Sequence, residues 1–261
     1  MRFSDLCPLH AATRAGLSRL LLAFPLLILA GCATPPAPLG INDPLEPVNR
    51  GVHGVNVALD RAIVGPGSNA YGTVMPKPVQ RVVNNVAGTL DLPGDIVNDV
   101  LQANPEDAGI NALRLATNLT MGVLGIFDAA TAIGLPERPT DFGETLHVWG
   151  AGEGVYLELP VLGPSTARDM VGMVVDTVAN PVRLLADKPQ ANAATAVGIF
   201  ARLGDRHRYS DTVESILYDS ADSYEQARLL YLQNRRFELG QTVDGATDDS
   251  FVDPYEDPYG Q

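Results

Sequence analysis

Few side chains in this sequence are spaced for covalent chemistry. The histidines are His10, His53, His147 and His207. None belongs to an HExxH pair or a close His/acid cluster, the arrangements that hold zinc, so no metal site is expected. Ser165, His147 and Asp169 supply the residue types of a nucleophile, a base and an orienting acid. No GxSxG elbow surrounds the serine. Ser165 reads better as a helix cap followed by first-turn charges. Gly150-Ala151-Gly152-Glu153-Gly154 faintly resembles a phosphate loop. It lacks a clear preceding strand, a following helix and a lysine to reach phosphate. The other reading is a tight turn or hairpin, where glycine supplies positive φ. Asn118-Leu119-Thr120 fits a glycosylation sequon by chance. No catalytic residue and no cofactor is expected, and the chain is not expected to be an enzyme.

Cys32 is the exception. It follows Arg2, Arg14 and Arg19 and the uncharged run Leu20–Ala30, and closes Leu29-Ala30-Gly31-Cys32. Eleven residues at about 1.5 Å each fall short of a hydrocarbon core about 30 Å thick. Residues 1–31 are therefore expected to be a signal peptide and not a transmembrane helix. The small residues before the cysteine resemble the bacterial lipobox, which implies acylation of Cys32. Several acyl chains, at about 0.8 kcal/mol per buried methylene, anchor durably. Residues 32–41, Pro-rich and uncharged, form the expected tether. Residue 33 is Ala, not Asp, which favours the outer membrane of a diderm bacterium over inner-membrane retention.

Composition narrows the classes. Of 261 residues, 46% are apolar and only 19% charged, with net charge −13. An acidic surface argues against nucleic acid, which needs cations to displace counterions. It equally argues against docking on anionic lipid through a polybasic face. Cys7 and Cys32 are the only cysteines, too few for a disulfide framework.

Helix signals recur along the chain, and no strand-rich region stands out. Asp43-Pro44-Leu45-Glu46 offers a cap, although Pro47 moves the expected start a few residues later. One segment opens at Pro78 and runs to about Thr89; a second runs from Leu92 to Gln102, with Ile96, Val97, Val100 and Leu101 on one face. Asn104, Ser165, Asp211 and Asp222 are candidate caps. Residues 115–127 and 189–201 are uncharged and would each reach roughly 20 Å as a helix. That length can lie within one leaflet or in a buried core, but it does not span a bilayer. Residues 238–261 hold seven acids and no Lys or Arg, and are expected to be a disordered acidic tail.

Several motifs together resemble the VacJ/MlaA family of outer-membrane lipoproteins. They are Asn42-Asp-Pro-Leu-Glu-Pro-Val-Asn-Arg50, Val74-Met-Pro76, Pro78-Val79 and Asn84-Asn85. The sharpest block runs from Asp141-Phe-Gly-Glu-Thr-Leu-His-Val-Trp-Gly-Ala-Gly-Glu-Gly-Val-Tyr-Leu-Glu-Leu-Pro to Val-Leu-Gly-Pro-Ser165, with Arg168-Asp169 after it. It is similar to the family run DFGqTLgvwGvGpGpYlvLPllGPS. The resemblance covers roughly residues 42–237.

The resemblance implies a mainly α, ring-like, membrane-embedded domain over 42–237, with a central amphipathic channel and a lipid-anchored N-terminus. It implies residence mainly in the inner leaflet of the outer membrane, facing the periplasm. Mislocalised phospholipids would leave the outer leaflet through the channel and pass to a periplasmic carrier of the Mla type for retrograde transport. This maintains outer-membrane lipid asymmetry. A trimeric porin is the expected neighbour.

On this reading Gly150, Gly152, Gly154, Trp149 and Tyr156 lie beside the lipid path or gate, the two aromatics at a polar–apolar boundary. Leu119, Met121, Val123, Leu124, Ile126 and Phe127 face the membrane. Two stretches depart from the family pattern. Val52-His-Gly-Val-Asn-Val57 stands where the family is commonly aromatic, and Asp222-Ser223-Tyr224 lacks the usual proline. The competing reading is a structural lipoprotein that tethers cell-wall or porin partners without moving lipid; an undetected lipoprotein enzyme comes third.

Overall fold

The structure, a computed structural model, describes residues 40–241. The expected signal peptide, Cys32, nearly all of the expected tether and the expected acidic tail from residue 242 lie outside the described residues.

Helix α1 (Glu46–Leu59) passes through a π-helical turn, Asp60–Val64, into α2 (Gly65–Val74). Then follow α3 (Lys77–Leu101), α4 (Pro105–Thr120), the short α5 (Ala129–Ala132) and α6 (Phe142–Val148). A hairpin pairs β1 (Tyr156–Leu159) with β2 (Gly163–Thr166), antiparallel, Tyr156 opposite Thr166. The chain closes with α7 (Ala167–Ala179), α8 (Pro181–Leu185), α9 (Lys188–Arg208), α10 (Ser210–Glu214) and α11 (Ser223–Glu238). The domain is mainly α, as expected. Among the described residues no helix is long and apolar enough to cross a membrane.

The boundaries follow local chemistry. Helix α1 starts at Glu46, earlier than expected, because proline is tolerated in the first turn, where an N–H has no helical partner. Asp43 does not cap it. Its carboxylate instead accepts from Asn49 (2.9 Å) and from Tyr224 and Arg228 of α11. Asn104 and Asp222 cap as expected, accepting the N–H of Asp107 (3.2 Å) and Glu225 (3.1 Å). Thr166, not Ser165, caps α7, accepting from Asp169 at 3.2 Å, because the chain stays extended through Ser165 as strand β2. Asp211 caps nothing: α10 begins one residue earlier. The two segments expected around Pro78 and Leu92 are one helix, α3, with Pro93 inside it. Proline deletes a single N–H bond there, and the flanking turns hold.

The largest departure concerns burial. Among the described residues the buried apolar side chains number seven and the buried polar or charged ones fifteen. Leucines, valines and aromatics stand outside instead. Val97, Val100 and Leu101, expected on one face of α3, are 45%, 65% and 41% exposed, Val97 and Leu101 towards the cavity that they line. A ring that keeps polar groups inside and apolar groups outside inverts the usual burial preference. It suits surroundings of hydrocarbon rather than water.

Candidate functional site

The polar interior surrounds a cavity of about 1260 Å³. Its walls come from α3, α4, α7, α9, α11 and the 137–142 segment. On α3 the lining positions include Asn84, Gly88, Asp91, Asp95 and Asn98. Their spacing of four, three, four and three puts them on one helical face. Leu90, Met173, Val175 and Ile199 line other stretches of wall. The cavity is thus amphipathic and central to the ring, as the expected fold class requires.

Charge is uneven on its walls. Asp169 is ringed by Arg168 (3.1 Å), Arg235 (3.2 Å) and the Tyr231 hydroxyl (2.8 Å). Burial pushes its carboxyl up, but Arg235, Arg168 and Thr166 outweigh burial and hold it below the usual range. Asp95 has no such cation. Burial first, then the neighbouring carboxylates Asp91, Asp99 and Asp176, push it up to about 7, against one N–H from Thr140. Asp91 and Asp99 are raised by burial as well, opposed by Arg202 and by the Asn111 side chain respectively.

The Asp95 shift fixes a pH dependence. Folded Asp95 keeps its proton to about pH 7, while an unfolded carboxyl loses it near pH 4. The unfolded state therefore binds fewer protons across that window, and stability falls as pH rises through it. Asp95→Asn keeps an acceptor for the Thr140 N–H and removes the charge. Its melting temperature should exceed the wild type's by roughly 3 °C or more at pH 8 and match it near pH 4. Melting curves at both pH values check this; an equal gain at both would rule out ionisation as the cause.

The glycine-rich segment lies at the edge of this cavity. None of Trp149, Gly150, Gly152, Gly154 or Tyr156 is among its lining residues. Trp149 is one contact away: its Nε1 donates to the Leu101 carbonyl at 3.0 Å and its ring meets Phe142 edge-on at 5.7 Å. Both Leu101 and Phe142 line the cavity. Gly150, at φ +91°, ends α6 by donating to the His147 carbonyl at 2.8 Å. The segment is a helix C-cap and linker, and the hairpin begins only after it. Tyr156 is not at a polar–apolar boundary. It is 1% exposed and packs with Tyr224 and Leu232, because its hydroxyl finds Glu158 (2.7 Å) inside the protein.

Leu119, in the last turn of α4, and Met121, Val123, Leu124, Ile126 and Phe127, in the turn after it, are all exposed. The helix expected through residue 127 stops at Thr120. Val123 and Leu124 then take left-handed φ values of +54° and +61°, which L-residues adopt only at a cost. Tertiary bonds hold the turn. Gly125 N–H donates to the Asn118 carbonyl (2.9 Å), and Asn85 Nδ2 donates to the Ile126 carbonyl (3.1 Å). The chain spends backbone strain to keep apolar side chains in the open.

Ser165, His147 and Asp169 form no relay. Ser165 Oγ donates to the Thr166 carbonyl (3.3 Å), and His147 contacts Gln241 (3.4 Å). A set missed in the sequence does come together. His53 Nδ1 meets Glu158 at 3.2 Å and its Nε2 meets Ser223 Oγ at 3.0 Å. His53 and Ser223 fall in the two stretches that were expected to depart from the family pattern, and the His53 ring also meets Tyr224 edge-on at 5.7 Å. Asp222 occupies the Glu225 N–H that an oxyanion would need, and the set lies off the cavity. It ties α1, β1 and α11 together. The cavity wall was also missed, although the polar stripe at 84, 91, 95 and 98 was there to be found.

Comparison with known proteins agrees with this architecture. The profile of the MlaA lipoprotein family matches residues 41–238. The intermembrane phospholipid transport system lipoprotein MlaA of Escherichia coli K12 is 31% identical over 222 residues, covering 83% of this chain and 86% of its own. The protein of that name from Shigella flexneri matches to the same extent. An uncharacterized Rickettsia felis protein is 32% identical over 191 residues, 73% of this chain and 75% of its own. A solved structure described as the structural basis for maintenance of bacterial outer membrane lipid asymmetry superposes with a TM-score of 0.64 at 27% identity. It covers 76% of this chain and 98% of its own. With a matched profile spanning the whole ring and its cavity, the chain belongs to the MlaA lipoprotein family.

Proposed function

We propose that this protein removes mislocalised phospholipids from the outer leaflet of the outer membrane. It conducts them through the central cavity to a periplasmic carrier of the Mla type for retrograde transport. The observation that supports the reading is the inverted burial: an amphipathic cavity walled by buried polar groups, inside a ring that exposes many large apolar side chains. A headgroup moved through bare hydrocarbon leaves polar groups unpaired, at a cost of roughly 2–7 kcal/mol for each amide or hydroxyl. A polar-walled cavity removes most of that cost. The apolar outside, including the Met121–Phe127 turn, holds the ring in the inner leaflet, with acylated Cys32 as a second anchor and a trimeric porin beside it. No covalent bond of the lipid changes.

Deletion of the gene should place phospholipid in the outer leaflet, read by surface labelling, and plasmid expression should clear it. A Cys32→Ala protein separates transport from mere tethering. It should remain uncleaved at residue 31, yet its folded ring, released by an engineered cleavage site, should stay with membranes through carbonate extraction. Full release into the supernatant would support a tether without an embedded ring.

A further inference from the structure

Three ionisable side chains on the cavity wall make no ion pair within 4 Å among the described residues. Asp91 and Asp95 lie one turn apart on α3, and neither has an ion pair within 4 Å among the described residues. Arg202 of α9, which packs against α3, also lines the cavity and makes no hydrogen bond or ion pair there. Asp91 is exposed but belongs to the wall of the cavity, so it meets water inside the ring. Arg202 is the cation whose field reaches Asp91. A second, separate observation points to a missing donor. Asn111 of α4 is fully buried and lines the same cavity. Its Nδ2 is used on Asp99 and on the Arg138 carbonyl, both at 2.8 Å. Its Oδ1, an acceptor, has no partner. A buried acceptor left empty is costly, and it stands on the acidic side of the cavity, bonded to Asp99.

We propose that Asp91, Asp95 and Arg202 form a headgroup subsite that selects zwitterionic phospholipids carrying a primary ammonium group. The inference rests on the lipid-path reading and deepens it. A headgroup of this kind has an anion and a cation a few bonds apart. Arg202 offers the guanidinium fork that suits a phosphate. The two carboxylates suit an ammonium with three N–H donors. A phosphatidylglycerol headgroup brings only the anion and meets two carboxylates with no compensating cation. A choline headgroup brings the positive charge but has no N–H to donate. Asp95, held up to about 7 by burial and by Asp91, gains most from a cation at its side. The same two aspartates thus attract one class of headgroup and repel another.

The test uses the full-length acylated protein in mixed micelles of equimolar phosphatidylethanolamine, phosphatidylcholine and phosphatidylglycerol. Bound lipid is counted by class after capture and washing. The wild type should hold phosphatidylethanolamine about fivefold over either competitor, a ratio within reach of one charge-assisted hydrogen bond. The Asp91→Asn, Asp95→Asn double variant should bring the ratio near one with total bound lipid maintained, whereas Arg202→Gln, which removes the partner of the phosphate that all three lipids share, should lower total bound lipid severalfold and keep the preference. Glu106→Gln, an exposed charge outside the cavity, should keep the wild-type ratio. Bound lipid mirroring the micelle in the wild type would overturn the subsite and leave the lipid path standing. So would an unchanged ratio in the folded aspartate double variant, or undiminished total binding in folded Arg202→Gln, folding being checked by circular dichroism. Absence of any bound lipid would overturn both. Glycerophosphoethanolamine, which lacks acyl chains, should compete at least a hundredfold more weakly than the diacyl lipid; equal competition would make this a site for a soluble compound and sink the lipid assignment.

Discussion

Arg235→Ala is expected to remove about 3–5 kcal/mol of stability, a large share of the roughly 5–15 kcal/mol that holds an ordinary domain together. The side chain leaves α11 and enters a cleft between α6 and α7. Its Nη2 donates to Asp141 at 2.7 Å and to Asp169 at 3.2 Å. Burial disfavours the guanidinium charge, but the two carboxylates outweigh burial and raise its pKa. Alanine would leave Asp169, 8% exposed, with fewer positive neighbours than its burial demands. It would also free the Asp141 carboxylate, which caps α6 through the Glu144 N–H at 2.8 Å. The helix crossing nearby leaves no room for compensation: a Cβ on Gly172 would come within 2.3 Å of the Gly143 backbone nitrogen. The measured result should be a melting temperature lower by roughly 10 °C and a matching loss of abundance. Arg235→Lys keeps the charge but not the fork, and should lose about half as much. A loss under about 1 kcal/mol for alanine would mean the pairs only offset their own desolvation.

Much of the helical framework was legible, because it depends on local signals. Asn104 and Asp222 read as caps and are caps. The DFG block read as diagnostic and lies in the matched family region. What was not legible depends on the surroundings. Val97, Val100 and Leu101 carry the periodicity of a buried face, and periodicity cannot tell a close-packed core from the open wall of a cavity, which Val97 and Leu101 line. The break read between Thr89 and Leu92 is absent, because proline is disfavoured within a helix only on average; α3 runs on through Pro93. Tyr156 read as interfacial from its amphipathic ring, but Glu158 two residues on satisfies its hydroxyl inside the core. The cavity acids were overlooked because attention fell on nucleophiles and metal ligands. A path for lipid needs neither, and its mark is a polar stripe on an otherwise apolar helix.

Gly152→Pro is expected to impair lipid removal severely while leaving abundance and membrane residence near the wild-type level. The segment between α6 and β1 reaches the cavity through Trp149, which is fastened to the Leu101 carbonyl and to Phe142. Any change in its path is therefore passed to two wall residues at the end of α3. Gly152 is the right place to stiffen it. A Cβ there would meet nothing within 4 Å, and its φ is not in the left-handed region. Proline at 152 restricts Ala151 and itself to fewer alternatives. Gly150→Pro is a different experiment. Its φ of +91° is closed to proline, and its N–H donation to His147 would be lost. That variant should lower abundance and transport together. Gly154→Ala would likewise press on Ala167 Cβ at 2.9 Å, at a φ of +74°, and should act through folding. The assay is outer-leaflet phospholipid labelling, normalised to protein level, for all three. If the segment serves only to end α6, Gly152→Pro will keep lipid asymmetry intact at normal abundance. If it shapes the path, the defect will appear in the one variant whose fold is untouched.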